Sequence, residues 1–194
     1  MFKDTVGRWF VRRMEEGESV SSFNCGDKYP DLNDFIANDA PQYRKELLAV
    51  TYLVEDNVKS VAYFSLANDR IGIEDFDNSN LFNRFRRKRF INSKRIKHYP
   101  AVKICRLGVD QESQHYGIGT TLMNYIKMYF MDDNKTGCRY ITVDAHTDAI
   151  PFYLKNGFNF LQIDNESTDT DSDSTQSYVL RPDVPEGINV SYIN

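Results

Sequence analysis

Cysteine, histidine and tryptophan are scarce in this 194-residue chain, at three, three and one. Cys25, Cys105 and Cys138 form no CxxC pair and are odd in number, which argues against a disulfide framework and a structural zinc site. His98, His115 and His146 share no ligand spacing, so no metal is expected. No uncharged apolar run approaches the roughly 20 residues needed to cross a bilayer, and no membrane partner is expected. The opening MFKDTVGRWFVRRMEEGE breaks every apolar stretch with charge before a signal-peptide core can form. Charge of neither sign dominates: 24 Lys and Arg stand against 28 Asp and Glu, for a net charge of -4. That balance excludes a histone-like binder driven by overall charge and leaves room for a local basic patch. These absences describe a reduced, soluble, cytoplasmic protein.

A hydrophobic share of 41% and an aromatic share of 13% supply enough apolar mass for a core. The length fits one domain over 1–194, with its core at about 48–182. RWFVRR (8–13) reads as a short strand, and Asp31 as the N-cap of a helix carrying Leu32, Phe35 and Ile36; Pro41 interrupts that helix or starts the next turn. AVTYLVED (49–56) and VKSVAYFSLAN (58–68) read as a hairpin turning at Asp56-Asn57. Leu81, Phe82, Phe85 and Phe90 amid Lys and Arg predict a basic helical insertion at about 81–98. Beyond Pro100 the pattern becomes strand (101–110), helix (114–133), strand (138–145), helix (147–158) and a final strand pair (158–163, 177–182). Gly157 is a C-cap, and Pro151 sits in the first turn of its helix. A mixed α/β sheet follows. The acidic stretch DNESTDTDSDSTQ (164–176) reads as a solvated mobile loop. Asp169, Asp171 and Asp173 alternate, but no Gly follows and no Glu closes a calcium loop.

The chemistry concentrates in Arg106-Leu-Gly-Val-Asp110 and Gln114-His-Tyr-Gly117-Ile-Gly119-Thr-Thr. A strand ends, a polar turn follows, and a helix opens on two glycines. The first N–H groups of a helix lack intrahelical partners, and its dipole adds positive potential there. Without side chains in the way, a diphosphate can reach those amides, which predicts a cradle from Gln114 through His115, Tyr116, Gly117, Ile118 and Gly119 to Thr120. A Walker A loop fails for want of its Lys, and a GxGxxG fingerprint fails at Leu122. The glycines also fit a plain role in close helix–strand packing. The spacing of Gln114, Gly117 and Gly119 is Q/RxxGxG/A, and at this point the chain resembles the GCN5-related N-acetyltransferase (GNAT) family. His146-Thr-Asp-Ala149-Ile-Pro-Phe152-Tyr153-Leu-Lys155-Asn-Gly157-Phe158 is similar to that family's Asn-x-x-Ala-x-x-Phe/Tyr-Tyr-x-Lys-x-Gly-Phe, with His146 replacing Asn.

The resemblance covers about 48–182, most tightly 101–160. It implies the GNAT fold: a mixed, mostly antiparallel twisted sheet of six to seven strands, its central parallel strands splayed and flanked by helices. It implies acetyl-CoA as co-substrate, its pantetheine arm pairing with the strand edge at Leu107, Gly108 and Val109, and amides near Val109 polarising the thioester. His146, Phe152 and Lys155 are implied cofactor contacts. Tyr153 is implied as the catalytic acid that protonates the departing thiolate. Glu46, Glu55, Glu74 and His146 stay open as the general base.

Phe23-Asn-Cys25-Gly26, then Leu32-Asn33-Asp34-Phe35, and the strand from Pro100 to Asp110 are similar to a branch of the family containing toxins that acetylate the amino group of aminoacyl-tRNA. Arg84, Arg86, Arg87, Lys88, Arg89, Lys94, Arg95 and Lys97 form a segment without an acid, suited to tRNA phosphates. Phe85, Phe90 and Tyr99 are candidates to stack on bases, and burial is equally ordinary for them. The same segment equally fits a solvated helix face, the 3′-phosphate of the cofactor, the acidic loop or an inhibitor protein. The amine acceptor and assembly as a homodimer stay open, as does a catalytically idle acyl-CoA- or partner-binding module.

Overall fold

The computed structural model describes residues 4–6, 8–20, 22–87, 96–132, 136–161 and 175–180. Residues 164–174 of the acidic stretch, residues 162–163 and 181–182 of the expected final strands, and Lys88, Arg89, Phe90, Lys94 and Arg95 of the basic segment lie outside the described residues. Eight strands form one sheet in the order β1-β2-β3-β4-β5-β6-β8-β7. They are β1 (Asp4–Val6), β2 (Trp9–Arg13), β3 (Val50–Glu55), β4 (Ser60–Gly72), β5 (His98–Val109), β6 (Tyr140–His146), β7 (Asn159–Phe160) and β8 (Thr175–Leu180). The count exceeds the expected six to seven because the first residues fold back as β1 on β2, pairing Asp4 with Val11. The expected long strand at 158–163 shortens to the two residues of β7. All pairings are antiparallel except β5 with β6.

That parallel pairing positions the site. It runs from Ala101↔Tyr140 to Ile104↔Val143 and stops. Beyond it β5 continues to Val109 paired with β4, while β6 continues to His146 paired with β8. The central strands therefore part, as expected. A bulge reinforces the parting: Ser65 opposes Arg106 while Leu66 opposes Ile104, so Cys105 is the extra residue.

Alternation along the strands separates two faces. On one, Ala62, Phe64, Leu66, Val102, Ile104, Ile141, Val143 and Ala145 pack against Ile118, Leu122, Met123, Ile126 and Phe130 of α4 (Ile118–Met131). The helical spacing of those five residues gives α4 its buried stripe, and each such side chain contributes about 1.5–3 kcal/mol when fully buried. On the other face the apolar residues divide into two clusters. One gathers Met14, Phe23, Cys25, Phe35, Ile36, Leu53 and Tyr63. The other gathers Ile71, Phe76, Phe82, Tyr99, Ala101 and Tyr140, with Phe85 against it.

The helical run around Pro41 differs from expectation at its cap, while Pro41 stands in the first turn of its helix, the second of its two readings. Pro30, not Asp31, opens α1 (Pro30–Asp34). A π-helical turn (Phe35–Asp39) then leads into α2 (Ala40–Lys45), so Pro41 sits within one continuous run. Proline lacks the N–H that would bond the carbonyl four residues back. That carbonyl, Ala37 O, accepts instead from Ser19 Oγ at 2.8 Å, which lets the run continue. The basic helix is α3 (Ser79–Arg87). Helix α5 (Ile150–Lys155) has Pro151 in its first turn and ends before Gly157, whose φ is +85°.

Candidate functional site

The expected cradle lies where β5 ends beside the parting. Helix α4 begins at Ile118 with Gly117 as its N-cap at φ +78°, and no side chain caps it. A Cβ on Gly117 would project into open space, so the amides of the first turn are approachable. Gly119 serves packing: a Cβ there would lie 3.1 Å from Cε2 of Phe152. The two glycines thus divide the alternatives that the sequence left open, one for access and one for close approach. His115 also has a left-handed backbone, φ +67°, and is exposed with Tyr116 and Thr120.

Gln114 does not face outward to a ligand. Its Nε2 donates to Val109 O and to Cys25 O, both at 3.0 Å, tying the cradle to the end of β5 and to residues 23–29. Those residues form a strap whose shape two asparagines fix. Asn33 Oδ1 accepts from Cys25 N at 2.7 Å, and Asn33 Nδ2 donates to Asn24 Oδ1 at 3.1 Å. Buried Asp110 anchors the strap on the β5 side, accepting from Asn24 N at 3.3 Å and pairing with Lys59 at 2.9 Å. On the β6 side Lys28 and the Tyr29 hydroxyl both bond Asp148, and the Tyr29 ring lies 6.3 Å from that of His146. The strap therefore spans from the end of β5 to the end of β6.

Cys25 occupies the inner side of this strap. Burial pushes its thiol up to about 12, with a backbone hydrogen bond from Val109 acting the other way. The Val109 amide, expected to polarise a thioester, is thus engaged with sulfur, a weak acceptor. Gly108 is tightly enclosed here, since a Cβ would lie 2.6 Å from Tyr63 Cε1 and 2.8 Å from Cys25 Sγ.

Tyr153 is buried in the apolar cluster that contains Ile118, with Leu107, Val109 and Phe152 packed against it. Burial alone raises its phenol above the ordinary value, so the proton is firmly held. Lys155 is exposed in the last turn of α5, and His146 is exposed at the end of β6.

Three of the four candidate bases are committed elsewhere. Glu55 accepts from Arg12 Nε at 2.9 Å, two strands away from β5. Glu74 pairs with Arg70 at 2.7 Å, beyond the Gly72↔His98 end of β4 and β5. Glu46 follows α2 and accepts from Gln42 at 3.0 Å. His146 alone stands at the parting.

Between the two apolar clusters lies a polar floor that the sequence reading missed. Lys103 pairs with Asp144, and Thr142 Oγ1 donates to Asp69 Oδ2. Burial lowers the Lys103 ammonium, but the hydrogen bond and charge of Asp144 outweigh it and the net shift is upward. Arg106 lies over the Phe35 ring at 5.3 Å and donates from Nη1 to Cys105 O at 2.8 Å. Only the β-strand parity of these residues, read with the bulge at Cys105, signals that they share a face.

Helix α3 borders this floor and presents Arg84 and Arg86. Phe85 and Tyr99 are not available to bases: both belong to the aromatic cluster, their rings 6.1 Å apart, and Tyr99 is buried. Of the two readings of these rings, burial holds: helical spacing turns Phe82 and Phe85 inward together. A cavity of about 400 Å³ at the other end of the sheet, lined by Arg13, Tyr52, Asp69, Val102 and Tyr129 among others, touches none of the expected residues. Among the described residues no helix is long and apolar enough to cross a membrane.

No curated protein matches the chain in sequence. Among solved structures it is similar to AtaT complexed with acetyl-methionyl-tRNAfMet, with a TM-score of 0.62 and 19% identity over 89% of this chain and 94% of that one. It is similar to a tyrosine-to-phenylalanine mutant of KacT, with a TM-score of 0.67 and 16% identity over 90% and 95%. It is also similar to an AtaT mutant toxin bound to the C-terminus of the antitoxin AtaR and acetyl-CoA, with a TM-score of 0.59 and 18% identity over 90% and 94%. At these identities the likeness is one of fold. Residues 82–160, which hold the parting strands, the α4 N-terminus and Tyr153, match the acetyltransferase (GNAT) domain. Over those residues, and in fold over most of its length, the chain is similar to GNAT acetyltransferases.

Proposed function

We propose that the protein transfers the acetyl group of acetyl-CoA to a primary amine by direct attack in a ternary complex. The observation that carries this reading is the parting of β5 from β6 beside an uncapped α4 whose Gly117 leaves open space. Acetyl-CoA supplies the acyl group as an activated thioester. In this reading the amides of Ile118, Gly119 and Thr120 hold the diphosphate, and the Leu107 edge pairs with the arm. The Val109 N–H turns from Cys25 sulfur to the carbonyl oxygen, where a developing negative charge is the stronger acceptor. Tyr153 holds the proton that the leaving sulfur takes, and His146 is the candidate to relieve the amine of its own.

The finer reading is that the amine belongs to an aminoacyl-tRNA. Arg84 and Arg86 on α3 border the open face of the sheet, where a polyanion could lead an acceptor end toward the parting. Structures titled with acetyl-methionyl-tRNAfMet and with an antitoxin C-terminus and acetyl-CoA support the same direction. The test is thiol release from acetyl-CoA with methionyl-tRNA and with a panel of small amines. Turnover by the parent, reduced about 10²–10⁴-fold in Tyr153→Phe at unchanged acetyl-CoA affinity, is the expected result. Equal rates would remove Tyr153 from the reaction. Retained CoA binding with no turnover on any amine would leave an idle binding module.

A further inference from the structure

We propose that Asp144 receives the ammonium group of the acceptor by exchange with Lys103, on the sheet face turned away from α4. This rests on the acetyl-transfer reading above and names the acceptor side of that site. Asp144 is the first β6 residue past the last parallel pair, Ile104↔Val143, so it stands where the strands begin to part. Its neighbours Val143 and Ala145 are buried on the α4 side, which turns Asp144 to the other face. Lys103, between buried Val102 and Ile104, points the same way.

This part of the face lies between the two apolar clusters, and among the described residues no helix seals it: the Lys103 and Asp144 side chains keep 35% and 38% exposure. A half-exposed ion pair contributes little to folding, so an incoming ammonium can take the place of Lys103 at small cost. The displaced Lys103 then becomes a free cation beside the newcomer. Arg106 adds a second one, since its buried Nε has no hydrogen-bond partner among the described residues and its guanidinium is held over Phe35. One carboxylate followed by two cations suits an acceptor whose amine lies a few bonds from an ester or phosphate oxygen. That is the chemistry of an amino acid esterified to a nucleotide. A hydrocarbon amine has nothing to offer the two cations.

The test uses the full chain loaded with CoA, which cannot turn over, and calorimetric titration with methionine methyl ester. Its neutral counterpart, in which a hydroxyl replaces the amine, is titrated alongside. The parent is expected to favour the ammonium ester, and Asp144→Asn to weaken it about tenfold and abolish that preference. CoA affinity stays within about twofold because the diphosphate cradle is separate, and Asp144→Glu restores part of the preference. Bound CoA with no preference in the parent, or a preference that survives Asp144→Asn, overturns this inference alone. Failure to bind CoA at all overturns the acetyl-transfer reading and this one with it.

Discussion

The two faces of the central sheet solve opposite problems with the same strands. Toward α4 the side chains are mostly apolar and, beside the Tyr153 hydroxyl, the polar groups among the described residues are chiefly backbone: the amides that open α4 and the edge of β5 beyond Ile104. Backbone groups on rigid elements are fixed before a ligand arrives, which suits an invariant co-substrate. Away from α4 the offering is side chains in exchangeable pairs, Lys103 with Asp144 and Lys28 with Asp148. Such pairs are cheap to rearrange, which suits a variable acceptor. On the proposed reading, donor recognition is a property of the fold, and acceptor recognition a property of the sequence laid over it.

Mutations that strike one face and spare the other test this division. The largest effect is expected from Tyr153→Phe, at about 10²–10⁴ in turnover with no change in acetyl-CoA affinity, read by thiol release and by calorimetry. Gly117→Val comes next. A β-branched residue at φ +78° costs about 1–2 kcal/mol and crowds the open amides, so acetyl-CoA affinity should fall about tenfold or more while binding of methionine methyl ester is unchanged. Gln114→Ala removes the two bonds that tie the cradle to Val109 and Cys25, at about 1 kcal/mol each. A several-fold loss of acetyl-CoA affinity and faster amide exchange at 110–117 are expected. The smallest effect belongs to Arg86→Glu, which should weaken tRNA binding and lower its salt dependence by about one phosphate contact, leaving acetyl-CoA affinity intact.

Acidity sharpens the same contrast. Burial raises the Tyr153 phenol, so the group stays protonated as pH passes the ordinary tyrosine value of about 10. Turnover should show no alkaline loss traceable to Tyr153 below that point, and Tyr153→Phe should leave the alkaline limb of the pH profile where it is.

What the sequence made legible follows the same line. Backbone features announce themselves through glycine and local order, which is why the α4 N-terminus could be read from Gln114, Gly117 and Gly119; the parting strands and the place of Tyr153 came through the GNAT resemblance those residues carry. The eighth strand escaped because β1 has only three residues and no strong pattern of its own. Gln114 was read as part of the cradle, whereas its amide spans to Cys25, 89 residues earlier, a contact no local spacing announces. Asp110, Asn24 and Asn33 stood inside quoted motifs, yet their bonds to one another exist only once the chain folds. The Lys103–Asp144 pair, 41 residues apart, needed the parallel register of β5 and β6. For Phe85 and Tyr99 the sequence left stacking on bases and burial equally open, and packing decides for burial.

Hydrogen–deuterium exchange with and without CoA tests the central claim most directly. The amides of 107–109 and 117–120 are expected to gain protection on adding CoA, while those of 98–102, at the paired end of β5, stay as they were. Protection confined to other segments, or none at saturating CoA, would contradict the account.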